Sequence, residues 1–319
     1  MDLRFDQRAV IITGAGNGLG RAHALELARR GASVVVNDIG SATDGTGSSA
    51  RTADFVVEEI RAFGGTALAS YDSVADGAAC RRLADQTLEA FGRIDAVVHN
   101  AGILRNARFV DMDDDRWFPV VATHLFGAFF LTRAVWPHMV AAGYGRLVFT
   151  SSASGMWGRV EGANYGAAKA GIIGLCNALA LEGAEHGIVA NAVIPVAATR
   201  LAGAPEAADD SEAALAHRTA AYENRMAPEW VTPIVVYLAS EVCDRSHRYY
   251  SAVRGRFAEI FIGVTDGWVA EGTSVPTAET VAEHLVEVED RSRFVVPSDT
   301  FDEVRLASTR VDDKIRPYG

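Results

Sequence analysis

The chain has 319 residues, a formal net charge of −11 and 49% hydrophobic residues. That length can bury one substantial core without requiring a second full domain. The acidic balance offers no basic footprint for nucleic acid and weakly disfavours anionic membranes. Three cysteines, Cys80, Cys176 and Cys243, lack metal-type spacing and suit a reducing compartment. The charged start, Met1 to Arg8, does not read as a signal peptide. The end, Arg316-Pro-Tyr-Gly319, does not read as a Ser-Lys-Leu-type address. No apolar run is expected to reach the roughly 18 to 20 residues of a membrane helix. A cytoplasmic location, no membrane partner and no metal site are the expectations.

Apolar runs predict a strand at 10–13 and another at 33–37, with a helix at 19–30 between them. The turn joining the first strand to that helix is Thr13-Gly-Ala-Gly-Asn-Gly-Leu-Gly20. Glycines there permit positive φ and let a pyrophosphate approach the backbone, while the helix N–H groups face the anion. Gly14, Gly16, Asn17, Gly18, Leu19 and Gly20 are therefore candidate cofactor contacts. Asp38 ends the second strand about 20 residues on, where a carboxylate can bind ribose hydroxyls and repel a 2′-phosphate. With no Lys or Arg inside the turn or directly after Asp38, the expected cofactor is NAD.

Residues 43–49 read as a flexible polar loop. Helices follow at 49–63, 76–91, 114–142 and 164–186, alternating with strands at 66–70, 96–100, 146–151 and 189–194. Several helices stop at glycine: Gly31, Gly64, Gly92, Gly143 and Gly187. The alternation predicts an α/β fold with a doubly wound parallel sheet of Rossmann type. Its core spans 1–240, with a lid near 200–226 that contains a helix at 213–224. Residues 241–319 hold the last strand, at 257–264, and a C-terminal extension. That extension contains a helix at 277–288, then a polar tail from 297 that lies on the surface or reaches a neighbouring subunit.

Tyr165 and Lys169 stand four residues apart, and Ser152 lies thirteen residues before the tyrosine. An ammonium one helical turn from a phenol favours the phenolate. A nearby serine hydroxyl can hold the substrate oxygen. The trio suits the interconversion of a secondary alcohol and a carbonyl.

These motifs, in this order from residue 8 to about 240, resemble the short-chain dehydrogenase/reductase family. Further matching marks are Asp72 and Ser73 after the third strand, Asn100-Ala101-Gly102 after the fourth, and Pro195 with Thr199 after the sixth. Within the family, four stretches resemble the (3R)-hydroxyacyl-CoA dehydrogenase unit of peroxisomal multifunctional enzymes. They are Val36-Asn-Asp-Ile-Gly40, Tyr71-Asp-Ser-Val74, Asn100-Ala-Gly-Ile-Leu-Arg105 and Thr150-Ser-Ser-Ala-Ser-Gly155. A glycine-rich insertion at 40–49 is shared with that branch.

The resemblance implies a catalytic set of Ser152, Tyr165 and Lys169. Tyr165 and Lys169 also reach the cofactor, and Lys169 lowers the tyrosine pKa. It places His124 where the family carries an Asn that aligns a water-linked proton path to the lysine. His99 replaces the first Asn of Asn-Asn-Ala-Gly, and Val196 replaces the Gly of a Pro-Gly pair. The implied substrate is a 3-hydroxyacyl-CoA, with a hydroxysteroid or another bulky secondary alcohol as the alternative. A non-catalytic NAD-binding regulator is the alternative of another class. Met156, Trp157 and 200–226 are candidate substrate walls. Arg105, Arg108 and Arg159 are candidate cations for CoA, against which the acidic balance counts mildly. Helices 114–142 and 164–186 imply a homodimer or homotetramer.

Overall fold

Short runs of mostly β-branched residues form the central strands, because a sheet covered on both faces has no polar side to supply. The computed structural model describes residues 2–203, 209, 211–271 and 274–315. In chain order, β1 (Ala9–Thr13), α1 (Gly18–Arg29), β2 (Ser33–Asn37), α2 (Arg51–Ala62), β3 (Thr66–Ser70), α3 (Gly77–Phe91) and β4 (Ala96–His99) build the first half. The second half holds α4 (Asp114–Val121), α5 (Gly127–Ala142), β5 (Gly145–Thr150), α6 (Ala153–Trp157), α7 (Ala163–Gly183) and β6 (Ile188–Val196). It continues with α8 (Glu212–Glu223), α9 (Thr232–Ala239), β7 (Arg248–Val253) and β8 (Arg256–Ile260). All five glycines expected to stop helices have positive φ.

The strands lie in the order β3-β2-β1-β4-β5-β6-β7-β8. Pairing from β3 through β7 is parallel, with Ile11 of β1 opposite both Val35 of β2 and Val97 of β4. Chain direction across the sheet reverses between β1 and β4, so a crevice opens beyond their carboxyl ends. Helices α2, α1 and α9 pack as one layer and α3, α5 and α7 as the other. Every residue of β1 is fully buried.

The last strand departs from expectation. The closing parallel strand is β7, beside β6, and not 257–264. A two-residue turn, Arg254-Gly255, follows it with φ of 53° and 80°. That geometry folds β8 back as a hairpin at the sheet edge. The apolar pattern of Phe257 to Val264 thus marks an edge strand whose neighbour carries the parallel pairing.

Two helices hold longer apolar stretches than the sequence reading expected. Two helical stretches, Asp114–Ala142 and Ala163–His186, reach mean hydropathies of 1.4 and 1.2 over their most apolar windows. Their length and composition would span a bilayer, but α5 and α7 lie in the helical layer over the sheet.

Contacts separate residues up to Glu259 from a second unit beginning at Ile260. Within the second unit, β9 (Val264–Thr265) pairs antiparallel with β10 (Phe294–Val295). The helix expected at 277–288 is broken at His284 into α10 (Ala278–Glu283) and α11 (Leu285–Val288). His284 instead stacks on Trp268, with ring centroids 4.3 Å apart. The tail expected to be a polar extension contains a helix, α12 (Thr300–Ile315). Asp299 begins it by accepting the N–H of Asp302 at 2.8 Å. Residues 316–319, read as carrying no address, and 204–208 with 210 of the lid segment lie outside the described residues.

Candidate active site

The crevice holds a cleft of about 540 Å3. Its floor is a set of backbone groups tied by two side chains. The Thr13 hydroxyl accepts the N–H groups of Asn100 and Ala101, each at 3.1 Å. The Asn100 amide donates to the carbonyls of Thr13 at 3.2 Å and Gly14 at 3.1 Å. The end of β4 therefore holds the turn after β1. Gly14, Asn17, Gly18 and Leu19 line the cleft, as do Asn100, Ala101 and Gly102. Gly16 and Gly20 do not. A Cβ on Gly20 would lie 2.2 Å from the Gly14 carbonyl oxygen, and one on Gly16 would lie 2.3 Å from Thr52. Their lack of a side chain serves close packing behind the turn rather than the cleft surface.

Asp38 sits beyond β2, its carboxylate accepting the N–H of Gly16 at 2.9 Å and of Gly40 at 2.7 Å. Asp72, Ser73, Pro195 and Thr199 also line the cleft. Asp72 accepts Arg82 at 2.7 Å, and its carbonyl accepts the Asn37 amide at 2.8 Å. Val196 lines the wall without closing it. An acid at the strand end, glycines at the turn and outward backbone groups form a cradle that fits a dinucleotide.

The insertion after β2 is more ordered than its composition predicted. Ala42 N–H bonds the Thr46 carbonyl at 2.8 Å, and Ser49 N–H bonds Ile39 at 2.9 Å. The chain after β4 holds it: Leu104 N–H donates to the Thr43 carbonyl at 2.8 Å, and Arg105 to the Asp44 carbonyl at 2.7 Å. Residues 41–43 and Gly45 line the cleft and were absent from the sequence-based set. Asp44-Gly45, a turn dipeptide, was the available signal.

At the other end lie Ser152, Tyr165 and Lys169, brought to one wall by β5 and α7. The Ser152 hydroxyl accepts the Ser154 N–H at 3.1 Å and so begins α6. Lys169 is buried, and its Nζ donates to the Thr150 carbonyl at 2.5 Å. Nζ lies 5.6 Å from the centre of the Tyr165 ring. Burial pushes the lysine down to about 7. Burial also pushes the Tyr165 phenol above its ordinary value, opposed by the Ser152 hydrogen bond and the Arg159 charge. Lys169 thus lies beside the phenol, and burial acts against the charged form of both groups.

His124 lies in a π-helical turn, Ala122–Phe126, between α4 and α5. Its Nε2 is 2.8 Å from the Ile103 oxygen and 3.1 Å from the Ile103 nitrogen, and its ring meets Tyr165 edge-on at 5.1 Å. A Cβ on Gly102 would lie 2.2 Å from that ring. No direct hydrogen bond joins His124 to Lys169 among the described residues. His99 links the end of β1 to the π-helical turn. The Thr13 hydroxyl, already accepting two N–H groups, is 3.3 Å from His99 Nδ1, leaving Nε2 to donate to the His124 carbonyl at 3.0 Å. Burial holds His99 down at about 3 and His124 well below its ordinary range, so both are neutral.

The short chain dehydrogenase family profile matches residues 8–205. A short-chain type dehydrogenase/reductase of Mycobacterium tuberculosis is 43% identical over 290 residues, covering 89% of this chain and 95% of that protein. A hydroxyacyl-CoA dehydrogenase of the same organism is 41% identical over 245 residues, covering 73% of each. The full-length peroxisomal multifunctional enzyme type 2 of Drosophila melanogaster superposes with a TM-score of 0.78 at 32% identity. That match covers 98% of this chain and 51% of the fly chain.

Proposed function

Since the chain belongs to the short-chain dehydrogenase family, we propose that it is an NAD-dependent oxidoreductase that interconverts a 3-hydroxyacyl-CoA and its 3-ketone. One observation carries the reading: Ser152, Tyr165 and Lys169 share a wall of the cleft whose far end carries Asp38. The hydroxyacyl-CoA dehydrogenase relative supports the substrate class.

In the oxidative direction, Tyr165 as phenolate takes the hydroxyl proton and becomes the phenol, and Ser152 hydrogen-bonds the same substrate oxygen. Lys169, fixed by Thr150, would hold the nicotinamide ribose. The turn after β1 would hold the pyrophosphate and Asp38 the adenosine ribose, with Pro195 and Thr199 available to the nicotinamide end. The bound cofactor supplies the hydride acceptor, while the chain supplies position and electrostatics. Reduction runs the same path backwards.

A second reading, oxidation of a hydroxysteroid or another bulky secondary alcohol, has its own support. The three arginines considered as cations for CoA make contacts within the chain. Arg105 bonds the carbonyls of Asp44 and Asp115, Arg108 faces Glu161 at 3.7 Å, and Arg159 bonds Asn106. Steady-state kinetics with a 3-hydroxyacyl-CoA series and a steroid series, each with NAD and with NADP, separates the readings. Good activity on free alcohols beside none on any acyl-CoA would reject the first and keep the reaction class.

A further inference from the structure

The glycine turn after β1 has different neighbours on its two flanks. On one flank the Gly16 N–H donates to the Asp38 carboxylate at 2.9 Å, and the other oxygen of that carboxylate accepts the Gly40 N–H at 2.7 Å. On the other flank Gly18 lies against Thr199, whose methyl carbon would be 3.2 Å from a Cβ at Gly18. Ser41 follows directly from the first flank and Arg200 from the second, and both line the cleft. Arg200 Nη1 donates to the Ser41 carbonyl at 3.3 Å. The half-buried arginine side chain therefore runs from the Gly18 flank to the Asp38 flank and borders the space that the turn faces.

That space fits a pyrophosphate. Within 13–20 there is no Lys or Arg, so the turn offers an anion only backbone N–H groups and the N-terminus of α1. In a chain of net charge −11, an anion entering the cleft gains from a cation close by. The other Lys and Arg that line the cleft, among the described residues, reach elsewhere. Arg105 bonds the carbonyls of Asp44 and Asp115, Arg159 bonds Asn106, and Lys169 bonds Thr150 beside the tyrosine. A guanidinium forks onto phosphate oxygens, where an ammonium acts only as a point charge. We propose that Arg200 is a cofactor-binding residue, whose guanidinium is held beside the turn by the Ser41 carbonyl and supplies the pyrophosphate with the charge that the turn lacks. The proposal rests on the reading of the site as that of a dinucleotide-dependent oxidoreductase.

NADH binding is followed by the fluorescence of the dihydronicotinamide, and ADP-ribose binding by displacement of NADH. Neither measurement needs turnover. ADP-ribose keeps the pyrophosphate and lacks the nicotinamide. Arg200→Gln should weaken both ligands by the same factor, about 10- to 100-fold, the range of a hydrogen bond to a charged group. Because a charge is lost, NADH affinity should also fall less steeply with added salt. Arg200→Lys should keep the salt dependence and recover part of the affinity. Unchanged affinities in Arg200→Gln would overturn the proposal. So would a loss confined to NADH, which would place Arg200 at the nicotinamide end. Weaker binding with an unaltered salt dependence would overturn it too, and would leave Arg200 as a brace for the insertion after β2. If the unmodified protein bound neither NADH nor ADP-ribose, the oxidoreductase reading would fall and take the proposal with it.

Discussion

The Asp38 carboxylate accepts the backbone N–H of Gly16 at 2.9 Å, so the acid proposed to select the cofactor also braces the turn that would hold its pyrophosphate. The two duties separate by substitution. Asp38→Asn keeps an acceptor and removes the charge, and should narrow the preference for NAD over NADP with little loss of stability. Asp38→Ala should narrow it as well, and should also destabilise by about 1–3 kcal/mol by leaving the Gly16 N–H without its partner. Catalytic efficiencies with both cofactors, beside chemical denaturation, check this. Equal efficiency with both cofactors in the unmodified protein would refute the role of Asp38.

Tyr165→Phe should lower turnover by ~10² to 10⁴, the range of a lost general acid–base group, and leave cofactor binding largely intact. Single-turnover kinetics together with cofactor titration separate the two effects. Near-normal turnover would mean that another group is the base.

Lys169 should cost stability while serving the site. Its folded value of about 7 lies below the ordinary 10.5. The unfolded chain therefore binds more protons between those limits, so this group's contribution to stability rises as pH climbs from about 7 to 10.5. Lys169→Met should raise the melting temperature at pH 7, flatten that rise, and abolish turnover. A lower melting temperature at pH 7 would contradict the burial cost.

Acid should act through buried imidazoles. His23 and His99 are both held at about 3 by burial, below their ordinary 6.5. Both are neutral in the fold at pH 5, whereas the unfolded chain takes up protons. Stability from these groups is complete above about 6.5 and is lost as pH falls toward 3. His99→Asn should flatten the decline in urea midpoint from pH 7 to 4. An unchanged slope would discount His99.

Phe118, Phe126 and Phe129 are 57%, 46% and 40% exposed along α4 and α5 and the turn between them. Such an apolar face suits a second copy of the chain. A homodimer or homotetramer should appear by light scattering at micromolar concentration. A monomeric mass would reject the assembly.

Much of this was legible because each signal was local. A β-branched run followed by glycines and an amphipathic stretch announces a strand, turn and helix wherever it lies. Gly14 and Asp38 are thus assigned to a crevice by sequence alone. The closing strand was misplaced because Arg248-Tyr-Tyr-Ser-Ala-Val253 is less apolar than Phe257 to Val264, and pairing beside β6 decides the matter. Spacing reveals that Lys169 is near Tyr165, but its burial depends on packing that spacing does not display. The contact of His99 with the His124 carbonyl joins residues 25 positions apart, which no local pattern displays.

The hydrogen bond from Leu104 to Thr43 turns one amide into a gauge of residence time. The 40–49 turn lies along the cleft wall, and few bonds hold it to the chain after β4. A local opening of such a turn would cost far less than global unfolding. A dinucleotide bound beneath it would have to wait for that opening before leaving. Hydrogen exchange at Leu104 should then slow in proportion to occupancy, and its opening rate would cap the rate at which spent cofactor is traded for fresh.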